Sequence, residues 1–129
     1  MTINLSEKSV TVRYSNGIYR TFNFQIFDNP FQNIENPEQI ERIFFSFRKE
    51  ITSLKGIEKF KNLKYLHCED NKITSLKGIE DLIHLEEIHC FNNKITSLKE
   101  VEKLTNLKKL ICGNNKITSL QGIKNLSKL

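Results

Sequence analysis

A chain of 129 residues has room for one domain or two very small ones, and 38% hydrophobic with 27% charged residues excludes a disordered or collagen-like polymer. The mean hydropathy of −0.43, with no apolar run near the roughly 18 residues of a membrane span, excludes a membrane-crossing helix. The formal charge of +5 and three cysteines, an odd number, imply no disulfide framework and leave the activity open.

The first residues, Met1 to Lys8, contain no basic region followed by an apolar stretch, so a secretory leader is not expected. With the free cysteines this points to an intracellular, cytoplasmic protein, in the host cytoplasm if the source is viral. Val10–Tyr14 and Ile18–Phe24 then alternate apolar and polar residues around Ser15-Asn16-Gly17. Asn-Gly between two alternating runs predicts a β-hairpin, assigned to residues 1–27.

Residues 28–50 support two readings. Asn36 as N-cap, Pro37 at the first helical position and Ile40, Ile43, Phe44 and Phe47 on one face would make a capping helix. Alternatively, one common shift aligns Phe31, Ile34, Ile40, Ile43 and Phe45 with Leu54, Ile57, Leu63, Leu66 and Cys68 of the copy that follows. That makes 28–50 a degenerate opening repeat with its strand near Arg42–Ser46. The β-favouring run Ile-Phe-Phe-Ser-Phe favours the strand, although Arg48 stands where later copies have asparagine.

From Ile51 the chain repeats itself: ITSLKGIEKFKNLKYLHCEDNK (51–72), ITSLKGIEDLIHLEEIHCFNNK (73–94), ITSLKEVEKLTNLKKLICGNNK (95–116) and a partial ITSLQGIKNLSKL (117–129). Cys68, Cys90 and Cys112 recur at one constant interval. Each full copy carries L-x-x-L-x-C-x-x-N-x-I, with Ile88 in place of the second Leu in the second copy. Alternation in Leu66-His67-Cys68 requires an extended strand with Leu66 and Cys68 inward and Tyr65, His67 and Glu69 outward. Ile73, Leu76, Ile79 and Leu82 recur every third residue, which suits a 3₁₀-like return leg better than an α-helix. One such coil cannot bury its apolar edge alone, but stacked coils share a core. Asn71, Asn93 and Asn115 turn inward in this reading and form a ladder that satisfies backbone groups at the bend, beside inward Cys68, Cys90 and Cys112.

These copies resemble the leucine-rich repeat in its short 22-residue class, as in bacterial internalins. The resemblance implies an α/β-type solenoid: a right-handed coil with a parallel concave sheet and short 3₁₀ or irregular convex legs, here with the hairpin capping the first coil. It also implies a binding scaffold without catalysis, whose outward strand residues line the concave face. Those residues are Tyr65, His67 and Glu69; Glu87, His89 and Phe91; Lys109, Ile111 and Gly113; and, from the opening repeat, Arg42, Phe44 and Ser46. Aromatic and apolar residues rimmed by charge have the composition of a protein interface, so the expected partner is a protein.

No phosphate-binding loop or H-E-x-x-H motif occurs; His84-Leu85-Glu86-Glu87-Ile88-His89 has the wrong spacing. Catalytic residues and cofactors are therefore not expected. A zinc site built on the cysteines wants Cys pairs at C-x₂₋₄-C spacing or convergent Cys and His, but the cysteines point inward and His67 and His89 outward. The two imidazoles stand at equivalent positions of successive coils and could hold a metal weakly or sense pH. Counted as two ligands without a third, they make a poor metal site, and none is expected. Side chains on adjacent strands run parallel, so the cysteines are read as buried free thiols.

By copy the charge runs +2, −2, +3 and +2, with residues 1–50 balanced, unlike the continuous basic stripe of a nucleic-acid groove. Nucleic acid or another acidic surface is the weaker alternative. Leu129 aligns with Leu107, just before the next strand. The expectation is that the protein continues, that the tail folds over as a cap, or that the strand carrying Cys112 pairs with a second copy in a homodimer.

Overall fold

The computed structural model describes residues 8–24, 30–45 and 50–129. Six strands form one sheet in the order β2-β1-β3-β4-β5-β6. They are β1 (Lys8–Tyr14), β2 (Tyr19–Phe24), β3 (Ile40–Phe44), β4 (Tyr65–His67), β5 (Glu87–His89) and β6 (Lys109–Ile111). The first two make the antiparallel hairpin that Asn-Gly signals. Its turn is closed by Tyr14 N donating to Ile18 O at 2.8 Å, and Gly17 takes the positive φ of 89° that a side chain would resist.

The segment between hairpin and repeats is a strand, not a capping helix. Among its described residues helix is confined to one 3₁₀ turn, Pro37–Gln39, and Asn36 sits at φ 51° without making a side-chain cap bond; Phe47 lies outside the described residues. β3 then runs parallel to β4 with Arg42 opposite Tyr65, Ile43 opposite Leu66 and Phe44 opposite His67, the same shift that aligns Phe31 with Leu54. It begins at Ile40, earlier than the expected Arg42; Ser46 and Arg48 lie outside the described residues. The hairpin joins the sheet edge, β1 pairing antiparallel to β3 with Val12 opposite Ile43. Val10, Val12 and Tyr14 are buried there, so the hairpin covers the opening repeat by extending the sheet. Phe31 packs edge-on against both Phe45 and Phe60, with ring centroids 5.5 Å apart in each pair.

β3 to β6 are parallel, and β4, β5 and β6 keep the interval of the cysteines, with Leu66 opposite Ile88 and Ile88 opposite Leu110. The period of three on the return legs has a direct cause. Successive i→i+3 hydrogen bonds run Ile57 N to Leu54 O, Phe60 N to Ile57 O and Leu63 N to Phe60 O, at 3.0–3.1 Å. The same chain of turns recurs at Leu76–Leu85, Leu98–Leu107 and Leu120–Leu129. Every turn begins and ends on an apolar residue, so in the first three of these legs one row of side chains faces the core. Among the described residues no helix is long and apolar enough to cross a membrane.

The bend after each of β4, β5 and β6 is held by its asparagine. Asn93 Nδ2 donates to Cys90 O at 3.0 Å, Phe91 O at 3.3 Å and Cys68 O of the preceding coil at 3.0 Å, while its Oδ1 accepts from Ile73 N at 3.0 Å. Asn115 repeats the pattern one coil on. Asn71 reaches back to Phe45 O at 2.8 Å, where the opening repeat has phenylalanine in place of cysteine. Beside this column runs a second one. Asp70, Asn92 and Asn114 adopt φ of 60°, 56° and 53°, the left-handed region that Asn and Asp tolerate best after glycine. Asn92 Nδ2 donates to Asp70 Oδ1 at 2.7 Å, and Asn114 Nδ2 to Asn92 Oδ1 at 2.6 Å.

Candidate interaction face

The outward side of the sheet is built by period-two alternation on very short strands. In β4, β5 and β6 the middle residue, Leu66, Ile88 or Leu110, turns to the core, which leaves two outward positions per coil. The row of Phe44, His67, His89 and Ile111 follows from the strand registers, each residue directly opposite the next. Phe44 and His67 stack with centroids 4.7 Å apart at 21°, and His67 and His89 lie 4.4 Å apart at 43°. Tyr19 of β2, 6.5 Å from Phe44, extends the row beyond β1. Along the flank the Arg42 guanidinium lies 4.2 Å above the Tyr65 ring and 5.7 Å from that of Phe44, within cation–π reach.

Most of the residues expected on this face are there, half-buried by one another: Phe44, Tyr65, His67, Glu87, His89, Phe91 and Ile111, with Lys109 more exposed. Glu69 is a correction. Alternation puts it outward, but β4 ends at His67, and Glu69 is 8% exposed with Oε2 lacking a hydrogen-bond partner. It offers no open contact. The cysteines lie inward: Cys68 and Cys90 are buried and Cys112 half-buried, and all three thiols are free. Burial raises the Cys68 thiol well above its ordinary range and pushes that of Cys90 up to about 12.

His67 is held in its neutral form. Burial lowers its pKa to about 4, helped by the neighbouring His89, Arg42 and Lys109 and opposed by Glu87. Beside the ring row, from Glu41 of β3 to the residues just before β4, β5 and β6, runs a row of alternating charge: Glu41 is 3.1 Å from Arg13 of β1 and 3.6 Å from Lys64, and Glu86 is 2.9 Å from Lys108. The hydrogen bond from Lys108 holds the Glu86 carboxyl below the usual carboxylate range. Sequence reasoning passed over this row, although its sign alternates at the repeat interval.

The arrangement of the histidines adds a third group to the pair that the sequence displays. One ligand atom each from His67, Glu87 and His89 lies within 4.8 Å of the other two. Glu87 and His89 share a face because they are two apart on β5, and the Glu87 Oε2 to His89 Nε2 distance is 3.4 Å. Period two and the repeat interval together contained this triad. The sequence reading places Glu87 on the same face as a partner contact and does not count it as a third ligand.

Comparison with known proteins agrees with the architecture. A family model described as Leucine Rich repeats (2 copies) matches residues 83–128. Among solved structures, the internalin InlF of Listeria monocytogenes superposes with a TM-score of 0.71 at 28% identity, over 84% of this chain and 29% of that one. The functional domain of InlJ of Listeria monocytogenes, which includes a cysteine ladder, superposes with a TM-score of 0.66 at 28% identity, over 74% of this chain and 21% of that one. The chain thus spans less than a third of either relative. A search of the curated proteins finds no match. With its stacked copies of one motif and their shared parallel sheet, the chain has the leucine-rich-repeat fold, its residues 83–128 match leucine-rich repeats, and its coils are similar to those of the internalins.

Proposed function

We propose that the chain is a non-catalytic recognition module that binds a partner protein on the outward face of its sheet. The observation that carries this reading is the row Tyr19–Phe44–His67–His89–Ile111, a band of rings and an aliphatic side chain crossing the sheet beside Arg42 and Tyr65. Aromatic residues and arginine are the anchors that dominate protein interfaces, and their packing here fixes rotamers before a partner arrives. The repeats and the likeness to internalins support the same class of role.

The test is capture of partners from nuclease-treated lysate of the source cell or its host. The folded triple variant Tyr65→Ser, His89→Ser, Phe91→Ser is compared with wild type and with Ile83→Ser, a return-leg residue 52% exposed. A protein retained by wild type and Ile83→Ser but lost by the triple variant is the expected result. Equal capture by all three overturns the reading. A second reading, self-association, has its own observation: in the coil from Ile117, Leu120 is 67% exposed and Leu129 45%, where Leu54, Leu76 and Leu98 are covered. Under that reading light scattering gives a mass that rises with concentration and falls in Leu120→Ser.

A further inference from the structure

His67, Glu87 and His89 meet on two adjacent strands in a way that packing alone does not require. Parallel pairing sets His67 directly opposite His89, and Glu87 shares their face from the other end of β5. Both histidine Nε2 atoms are sealed from solvent by the surrounding side chains and lack a hydrogen-bond partner. A buried polar nitrogen without a partner is costly, and two side by side point to a missing common partner. Two imidazole nitrogens and one carboxylate oxygen are the donor set of an open transition-metal site, the kind zinc occupies with water or another ligand in the fourth position.

We infer that His67, Glu87 and His89 form a binding site for a divalent transition-metal ion of the zinc class, on the outward face across β4 and β5. Tetrahedral bonds of about 2.0–2.1 Å place ligand atoms about 3.3 Å apart. The 3.4 Å between Glu87 Oε2 and His89 Nε2 already meets that spacing. All three ligand atoms lie within 4.8 Å of one another, so closure around an ion needs side-chain rotation and no change of strand register. The bound ion ties β4 to β5. Glu87 offsets part of the ion's charge, while Arg42 and Lys109, whose charges also act on His67, oppose it. Lys109→Gln therefore tightens binding. The site is additional to the recognition role and does not depend on it.

The test uses the full chain, stripped of metal with chelator, titrated with Zn²⁺ by calorimetry at neutral pH and with Co²⁺ by absorption. The expected result is one ion per chain, and a Co²⁺ spectrum without the near-ultraviolet thiolate charge-transfer band that cysteine ligation would produce. Because loss of an outer-shell partner alone costs roughly 10–100-fold in affinity, His67→Gln and Glu87→Gln lose at least about tenfold, each checked by circular dichroism for an intact fold. His84→Gln, on an exposed leg, binds as wild type. Absence of saturable Zn²⁺ binding, a thiolate band, or undiminished affinity in folded His67→Gln would each overturn the site.

Discussion

Asn93 is bonded to backbone on three sides: it donates to carbonyls in two coils, Cys68 O and Cys90 O, which also accept from Asn71 and Asn115, and it accepts from the buried Ile73 N–H, which its removal would strand. Leaving such groups unpaired costs about 1–3 kcal/mol, so Asn93→Ala lowers the urea unfolding free energy by that amount. Asn115→Ala loses less, because Asn115 is half-exposed and water can replace part of what is removed. His67 gives a pH dependence in chelator-treated protein. Its folded pKa of about 4 lies below the ordinary 6.5, so as pH falls through 6.5 the unfolded chain takes a proton that the folded one refuses. Stability is fully present above 6.5, declines toward about 4 and levels off below it. The groups facing the ring are Arg42 on β3, Glu87 and His89 on β5 and Lys109 on β6. The check is urea unfolding across this window, in which His67→Gln declines less steeply than wild type. At this scale the sequence was legible where a residue type repeats, as with the asparagines. It was not legible for Glu69, whose burial depends on where a very short strand stops, nor for Tyr19, which joins the ring row only through the docking of the hairpin on β3.

The return legs show how one residue reshapes an element. Gly56, Gly78 and Gly122 have φ of 94°, 113° and 108°, but the third copy has Glu100 at the equivalent position. There the 3₁₀ turn is Lys99–Val101, two positions earlier in the repeat than Ile57–Lys59 of the first copy. Glu100 is buried, and its Oε1 accepts from Ser75 Oγ at 3.2 Å. A Cβ on Gly122 would lie 2.2 Å from the Leu98 carbonyl oxygen, whereas one on Gly113 meets nothing within 4 Å. Gly122→Ala therefore destabilises by at least the roughly 1–2 kcal/mol of a left-handed non-glycine residue, and Gly113→Ala is close to neutral. Thermal melts of the two variants check the contrast. The strand-or-helix ambiguity of residues 37–49 belongs here too. Pro37 does start a helical turn, but Ile40–Phe44 has β3's place beside β4 available, and parallel pairing outweighs the cap signal at Asn36.

The whole molecule was the most legible level, because every copy restates the same inward pattern and stacking is the one way all copies can bury it together. Stability is correspondingly graded along the stack. Cys68 and Cys90 are buried, Cys112 is half-buried, and the coil beyond it leaves Leu120 open. A disulfide reagent applied to the native chain accordingly labels Cys112 first and reaches Cys68 and Cys90 only on the timescale of unfolding; mass spectrometry with time resolves the order. The bonds between repeat coils carry a further consequence. Asn92 to Asp70, Asn114 to Asn92 and Lys108 to Glu86 each join like positions of neighbouring copies. Gain or loss of one whole copy preserves these columns, while a single inserted amino acid breaks them on both sides. Chain length can therefore change in quanta of a coil with little effect on shape. The order of the copies is a separate inheritance: exchanging 73–94 with 95–116 would keep the core and part His67 from Glu87 and His89. Shape is written identically in every copy, and recognition is written in their sequence of succession.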